Sequence, residues 1–122
     1  MGTLRVGTSL IILGFLSACT DVTTTVQRQG VEASAKPKDC TIQIFREAKP
    51  PGPYETLGKV ETHVQRNFFA GGGVQLEEAY QELRQKGCGL GGDGIIIDHV
   101  IETKATENTH IHVWATVIRT GK

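Results

Sequence analysis

The sequence has no feature typical of a nucleic-acid-binding protein. It carries 13 basic and 13 acidic residues, so its formal net charge is zero, and only 6% of its residues are aromatic. No basic segment is interleaved with aromatic side chains, which is the pattern that a nucleic-acid interface requires. We therefore expect no nucleic-acid partner.

Recognisable catalytic patterns are also missing. The acidic residues Asp93, Asp98 and Glu102 are too scattered to predict an acid/base pair, and no Ser, His and Asp arrangement includes a nucleophile elbow. We predict a protein without enzymatic activity, without a catalytic residue and without a cofactor.

Long apolar runs are absent, and the short apolar stretch near the start of the chain, from Val6 to Leu16, follows a single basic residue, Arg5. Such a segment is too short to span a bilayer as a mature helix and is typical of a secretory signal. It ends in Leu16-Ser17-Ala18-Cys19, which resembles the bacterial lipobox. The resemblance implies that residues 1–18 are a lipoprotein signal peptide and that Cys19 receives a diacylglyceryl group. Several acyl chains, at about 0.8 kcal/mol per buried CH₂, make a durable anchor.

The residue after the lipobox cysteine bears on location. In Gram-negative lipoproteins, Asp directly after the cysteine retains the protein at the inner membrane, and this chain has Thr20 there instead. The resemblance therefore implies a lipid-anchored protein of the outer membrane, on its periplasmic side. Inner-membrane anchoring is the alternative.

Only three cysteines are present, and after lipidation of Cys19 the pair Cys40 and Cys88 remains. An even pair in an oxidising compartment favours a disulfide. In the chain-entropy model, closing this loop stabilises the fold by about 4 kcal/mol. A metal site and a reactive thiol are the other readings, although neither cysteine belongs to a C-x-x-C motif.

The pattern of apolar residues predicts an α+β domain. Residues 19–38 are polar and Thr-rich and read as a lipidated, flexible tether, and residues 39–122 form the domain. Its predicted elements are strand 41–45, strand 54–64, a helix 74–88 with one apolar stripe, strand 95–101 and strand 110–118. The order is β-β-α-β-β, with the helix packed on one face of the sheet.

The proline-rich stretch Lys49–Pro53 links the first two predicted strands. If these strands formed a plain hairpin, Cys40 and Cys88 would lie at opposite ends of the domain, whereas a disulfide needs Cα atoms within about 7 Å. We therefore predict that the prolines carry the chain away, so that the first strand is not the hairpin partner of the second.

Three glycines, Gly89, Gly91 and Gly94, match the dinucleotide-binding spacing G-x-G-x-x-G. A dinucleotide loop must follow a strand and open a helix, but these glycines follow a predicted helix and precede a strand. We therefore expect no nucleotide. Gly89 or Gly91 is expected to end the helix in the left-handed conformation, and the other glycines are expected to let the helix lie close to the sheet.

The same junction carries a resemblance to a family. The run LRQKGCGLGGDGII at Leu83–Ile96, with Leu57–Glu61 and Ile42–Phe45, resembles small bacterial envelope lipoproteins related to RcsF and, more distantly, YbjQ-like proteins. The resemblance implies a small α+β domain in the cell envelope. RcsF itself carries two disulfides and reports envelope stress, whereas this chain has one available cysteine pair.

Two further groups of residues are candidates for binding. His110 and His112 share one strand face with Trp114, and they either form part of a solvated polar face or bind zinc or copper. Phe68 and Phe69, beside three glycines, either contact a partner or fold back onto the core. We predict a non-catalytic lipoprotein that binds or senses an envelope partner. The alternative is a metal-binding envelope lipoprotein.

Overall fold

One helix and a five-stranded sheet make up the domain in a computed structural model, which describes residues 20–30, 33–67, 76–104 and 108–121. The elements in chain order are β1 (Thr20–Arg28), β2 (Gln43–Phe45), β3 (Tyr54–Asn67), α1 (Leu76–Gly89), β4 (Gly94–Lys104) and β5 (Asn108–Thr120). The α+β class predicted from the sequence is confirmed. The predicted order of two strands, a helix and two strands is found from β2 to β5.

The strands lie in the order β1-β3-β5-β4-β2. All neighbours are antiparallel except β2 and β4, which are parallel. Because β3 and β4 are both antiparallel to β5, helix α1 connects two parallel strands and β5 returns between them. The prediction that the first two strands of the β-β-α-β-β order are not a hairpin is confirmed, since β2 pairs with β4 at the far edge of the sheet.

A disulfide joins the segment just before β2 to the end of α1. Cys40 and Cys88 are bonded, with their Cα atoms 5.9 Å apart, and Cys88 is fully buried. The pairing predicted from the cysteine count is therefore confirmed, and neither cysteine is left as a thiol or a metal ligand. The bond is possible because the proline-rich connection separates β2 from β3 and leaves β2 beside the strand that follows α1.

The flexible tether predicted for residues 19–38 needs correction, because Thr20–Arg28 forms β1 instead. This strand pairs with β3 along its whole length, from Thr20↔Arg66 to Arg28↔Gly58. Threonine and valine, which dominate the segment, favour strands. The segment showed no apolar period because β1 is an edge strand whose side chains are mostly exposed.

The chain after β1 is also held against the domain. The backbone N–H of Lys36 donates to the carbonyl of Cys88 at 2.8 Å, and Lys36 Nζ donates to the carbonyl of Gly92 at 3.2 Å. These contacts attach the segment around Lys36 to the C-terminal end of α1. The folded domain therefore starts about 20 residues earlier than the boundary at residue 39.

Helix α1 packs on one face of the sheet through the predicted apolar stripe. Ala79, Tyr80, Leu83 and Gly87 are buried. A side chain at Gly87 would meet Ile42 Cδ1 at 2.7 Å, so glycine lets the helix lie closer to the sheet than alanine would. The expectation of a close helix–sheet approach is confirmed at this position.

The glycine-rich segment after α1 forms a helix cap. Gly91 has a φ of +86°, its N–H donates to the carbonyl of Cys88, and the Gly92 N–H donates to the carbonyl of Gly87, each at 2.9 Å. These are the two hydrogen bonds of a Schellman motif with Gly91 in the left-handed position. The predicted glycine terminator is confirmed, and the G-x-G-x-x-G spacing lies at the end of a helix rather than at its start.

Candidate binding surface on the open face of the sheet

The two faces of the sheet differ in what covers them. In β5, Ile111, Val113 and Val117 are fully buried beneath α1, whereas His112 and Trp114 point to the opposite side and remain partly exposed. This alternation agrees with the pattern predicted from the sequence. Within the described ranges no helix covers the second side, which we call the open face.

A row of aromatic rings crosses the open face. The register places His63 of β3 opposite His112, and His99 of β4 opposite Trp114. The His112 and Trp114 rings stack with centroids 3.9 Å apart. The ring centroid of His63 lies 5.2 Å from that of His110 and 5.2 Å from that of His112. The ring centroid of His99 lies 5.3 Å from that of Trp114. All four histidines and the single tryptophan of the chain therefore form one continuous row.

The sequence indicated only part of this row. The spacing of two residues placed His110 and His112 on one face, but His63 and His99 were on other strands whose register was unknown. A β-bulge in β4 between Ile97 and His99 shifts the pattern locally. Both Asp98 and His99 reach the open face because a bulge sets two residues against one on the partner strand. The scattered acidic residue Asp98 thereby becomes part of the surface.

Polar side chains form a network beside the aromatic row. Lys59 Nζ donates to Thr116 Oγ1 at 2.7 Å, and Thr116 Oγ1 donates to Asp98 Oδ2 at 2.7 Å. Lys59 and Asp98 also form an ion pair at 3.7 Å. The network borders a depression of about 380 Å³, whose wall includes Trp114. The complete lining is Thr25, Gln27, Lys59, Val60, Glu61, Asp98, Trp114 and Ala115.

The other two acidic residues that were considered for an acid/base pair, Asp93 and Glu102, lie away from Asp98. Asp93 accepts hydrogen bonds from the backbone N–H of Thr120 at 2.9 Å and from its hydroxyl at 3.0 Å, so it fixes the end of β5 to the α1–β4 junction. Glu102 is exposed on β4. The structure does not bring either carboxylate to Asp98 as an acid/base pair.

Electrostatics within the row disfavour protonation of His63. Burial lowers its pKa from the ordinary 6.5, and the neighbouring rings of His112 and His110 lower it further. His63 Nε2 and His110 Nδ1 lie 3.1 Å apart at hydrogen-bond distance, which requires one of these nitrogens to be unprotonated. His112 Nε2 is hydrogen-bonded to Glu61 Oε2 at 2.6 Å. The row is thus arranged for neutral imidazole at His63.

This lowered pKa predicts a fall in stability on mild acidification. Well above pH 6.5 the ring of His63 is neutral in both states, but as the pH falls through 6.5 the unfolded chain binds a proton that the folded chain, with its lowered pKa, resists. The free energy of unfolding should therefore decrease as the pH falls from 6.5 toward the lower folded pKa. Urea unfolding at several pH values should show a smaller decrease for His63→Gln. Equal pH curves for His63→Gln and the unsubstituted chain would contradict this account.

The geometry of the histidine row bears on the hypothesis that these side chains bind a metal ion. In the parts of the chain that the structure describes, no group of three or more His, Cys, Asp or Glu side chains is arranged to hold a metal ion. The nitrogens of His63 and His110 face each other at 3.1 Å. Two imidazoles are fewer than the three or four protein ligands usual for zinc.

Several predicted features lie outside the described residues. These are the signal peptide at residues 1–18, the lipidation site Cys19, and Phe68 and Phe69. Among the residues that are described, no helix is both long and apolar enough to cross a bilayer.

Comparison with known proteins assigns no family. No family model and no curated protein matches the chain. A solved structure that matches is the crystal structure of a Francisella virulence factor, FvfA, in the orthorhombic form. The match has 10% sequence identity and a TM-score of 0.47, and it covers 78% of this chain and 97% of that chain. At this level of similarity neither fold nor function is carried over.

Proposed function

We propose that this protein is a non-catalytic bacterial lipoprotein, anchored through Cys19 to the outer membrane, whose domain binds an envelope partner through the open face of its sheet. The anchor is inferred from the lipobox-like run Leu16–Cys19. The Cys40–Cys88 disulfide supports a location outside the cytoplasm, because stable disulfides are rare in reducing compartments. The RcsF-like run Leu83–Ile96 supports the same compartment.

The position of β1 changes how the anchored domain would be held. β1 begins at Thr20, directly after the cysteine that we propose carries the lipid. A flexible tether would let the domain range away from the membrane, whereas a strand that starts one residue after the anchor keeps the sheet at the bilayer surface. The partner is therefore one that can be reached at the membrane surface.

The observation that carries the binding proposal is the Trp114–His112 stack beside the depression on the open face. Tryptophan is the residue type most enriched among those that dominate binding energy, especially beside a pocket. Here it is partly exposed, and Lys59 and Asp98 supply charges of both signs at the rim of the depression. This combination of an aromatic centre with a polar rim is the usual anatomy of a protein–protein interface.

Site-specific photocrosslinking in intact cells tests this surface. A crosslinking amino acid at Glu61, on the open face, should yield a discrete adduct, whereas the same group at Gln81, exposed on α1, should not. Trp114→Ala should reduce the adduct by about tenfold or more, the effect of losing a dominant contact residue. Trp114→Phe keeps an aromatic ring and should retain most of it.

Three outcomes would overturn the proposed surface. They are equal adducts from Glu61 and Gln81, no adduct from the open face, or an adduct that is unaffected by Trp114→Ala. Each variant is first checked for the same far-ultraviolet circular dichroism spectrum as the unsubstituted protein, which reports a folded domain.

Metal binding is the second candidate function, favoured by the 3.1 Å approach of His63 Nε2 to His110 Nδ1. Titration of the purified protein with Zn²⁺ or Cu²⁺ separates the two functions. Binding that is lost in His63→Gln and in His110→Gln would favour the metal-binding candidate. Binding that is absent, or unchanged in these variants, would remove it.

A further inference from the structure

The two edges of the sheet are protected to different degrees. The β2 edge is only three residues long and is followed by Pro50, Pro51 and Pro53. The β1 edge is nine residues long, contains no proline or lysine, and pairs with β3 without a bulge. Long, regular edges without such features present unpaired N–H and C=O groups to another strand. Among the described elements, β1 has a neighbour on one side only.

Successive residues of β1 direct their backbone N–H and C=O groups to opposite edges of the strand. Just past its end, the Gln29 N–H donates to the carbonyl of Leu57 at 2.9 Å. In an antiparallel ladder, hydrogen-bonded residues alternate, so the odd-numbered residues of β1 direct their backbone groups toward β3. The even-numbered residues Val22, Thr24 and Val26 therefore direct theirs toward the free edge.

The side chains of these same residues make the edge self-complementary. Residues 22–26 read Val-Thr-Thr-Thr-Val, a sequence that is identical in both directions. A two-fold axis at Thr24 would place Val22 of one copy opposite Val26 of the other, and Thr23 opposite Thr25. Val22 is 50% and Val26 41% exposed, which makes them two of the large apolar side chains still open to solvent.

We infer that β1 is a homodimerisation edge, where two copies of this chain pair antiparallel about a two-fold axis at Thr24. The even-numbered residues, whose backbone N–H and C=O groups face the free edge, are the ones that form hydrogen bonds in this register. Thr24 of one copy lies opposite Thr24 of the other. The pairing would cover Val22 and Val26 of both copies. It would also extend two five-stranded sheets into one continuous sheet, and the symmetric contact is the isologous type typical of dimers.

The register fixes where the two chain starts would lie. Thr20 of one copy would stand opposite Arg28 of the other, so the two Thr20 residues would be about 27 Å apart, at about 3.4 Å per residue. If the proposed lipid anchor is also present, both anchors enter one bilayer only when the joined sheet lies along its surface. The dimer itself does not depend on the anchor.

The oligomeric state of the full chain, purified in mild detergent, tests the inference. Native mass spectrometry across a concentration series should show a dimer for the unsubstituted chain and its loss in Val22→Lys and in Val26→Lys, because lysine blocks edge pairing. Gln85→Lys, which adds the same charge on the exposed side of α1, should leave the dimer intact. A cooperative unfolding transition in urea checks that each variant is folded.

Introduced cysteines test the register. Thr24→Cys should form a dimer on a non-reducing gel, since hydrogen-bonded partners have Cα atoms about 5.5 Å apart. Arg28→Cys, far from its own symmetry mate, should not, and the unsubstituted chain is the background for both. A chain that is monomeric throughout, a dimer that survives both lysine substitutions, or crosslinking through Arg28→Cys would each overturn the inference.

Discussion

Replacing Cys40 and Cys88 together by alanine is expected to lower the free energy of unfolding by about 4 kcal/mol. The bond joins residues 48 positions apart, so its loss returns considerable conformational freedom to the unfolded chain. It also releases β2, a three-residue edge strand with few other contacts to α1. Denaturant unfolding monitored by the fluorescence of Trp114 measures the change.

The disulfide prediction has an internal control. Reducing the unsubstituted protein should produce nearly the same loss of stability as the double substitution, because both remove the same cross-link. If the double variant unfolded within 1 kcal/mol of the oxidised parent, about the size of an ordinary single substitution, the bond would contribute little. The helix cap and the β2–β4 pairing would then hold this region unaided.

Gly91→Ala is expected to lower the free energy of unfolding by about 3 kcal/mol, the second large effect. The φ of +86° at Gly91 is one that side-chain-bearing residues rarely adopt. An added Cβ would also lie 2.6 Å from the carbonyl oxygen of Ser34 and 2.8 Å from Ala33 Cβ. The strain would therefore displace the segment after β1 as well as the helix cap. Thermal and denaturant unfolding measure the loss.

Gly89 provides the matched control for this substitution. It is the last residue of α1, and among the described residues outside its own helical turn and its chain neighbours no atom lies within 4 Å of a Cβ placed there. Gly89→Ala should leave stability unchanged or raise it by a few tenths of a kcal/mol, since alanine favours the helix. Equal destabilisation by the two substitutions would mean that general loss of glycine flexibility, and not the cap and its close contacts, explains the effect.

The sequence predicted the elements with strong local patterns. The apolar stripe of α1, the alternation of β5 and the glycine terminator each depend on neighbouring residues, and all three were found in the structure. The cysteine pair and the proline-rich connection together predicted that β2 leaves β3, because only that arrangement brings Cys40 near Cys88. A disulfide and a proline-rich connection thus predict the pairing of segments that are distant in sequence, which local propensity does not.

Strand β1 could not be recognised from the same patterns. Its residues are polar or β-branched, and as an edge strand it needs no apolar face. Thr24 shows what stabilises it: its hydroxyl contacts Thr62 Oγ1 at 2.9 Å and Glu82 Oε2 at 3.0 Å. Both partners are distant in sequence, so no local pattern could have indicated these contacts.

The open face depended on register in the same way. His110 and His112 could be placed together from their spacing, but the positions of His63 and His99 require the pairing of three strands. The bulge in β4 then adds Asp98 to the surface. A shift of one residue would send these side chains to the opposite face, and sequence alone does not determine such a shift.

The proposal that the chain is a lipoprotein is tested most directly by the mass of its mature N-terminus. The intact protein, extracted with detergent from a bacterial membrane fraction, is analysed by mass spectrometry with fragmentation. We predict a chain that begins at Cys19 and carries a diacylglyceryl group on its thiol. A mature chain that retains residues 1–18, or one whose Cys19 is unmodified, would contradict the proposed anchor and the location inferred from it.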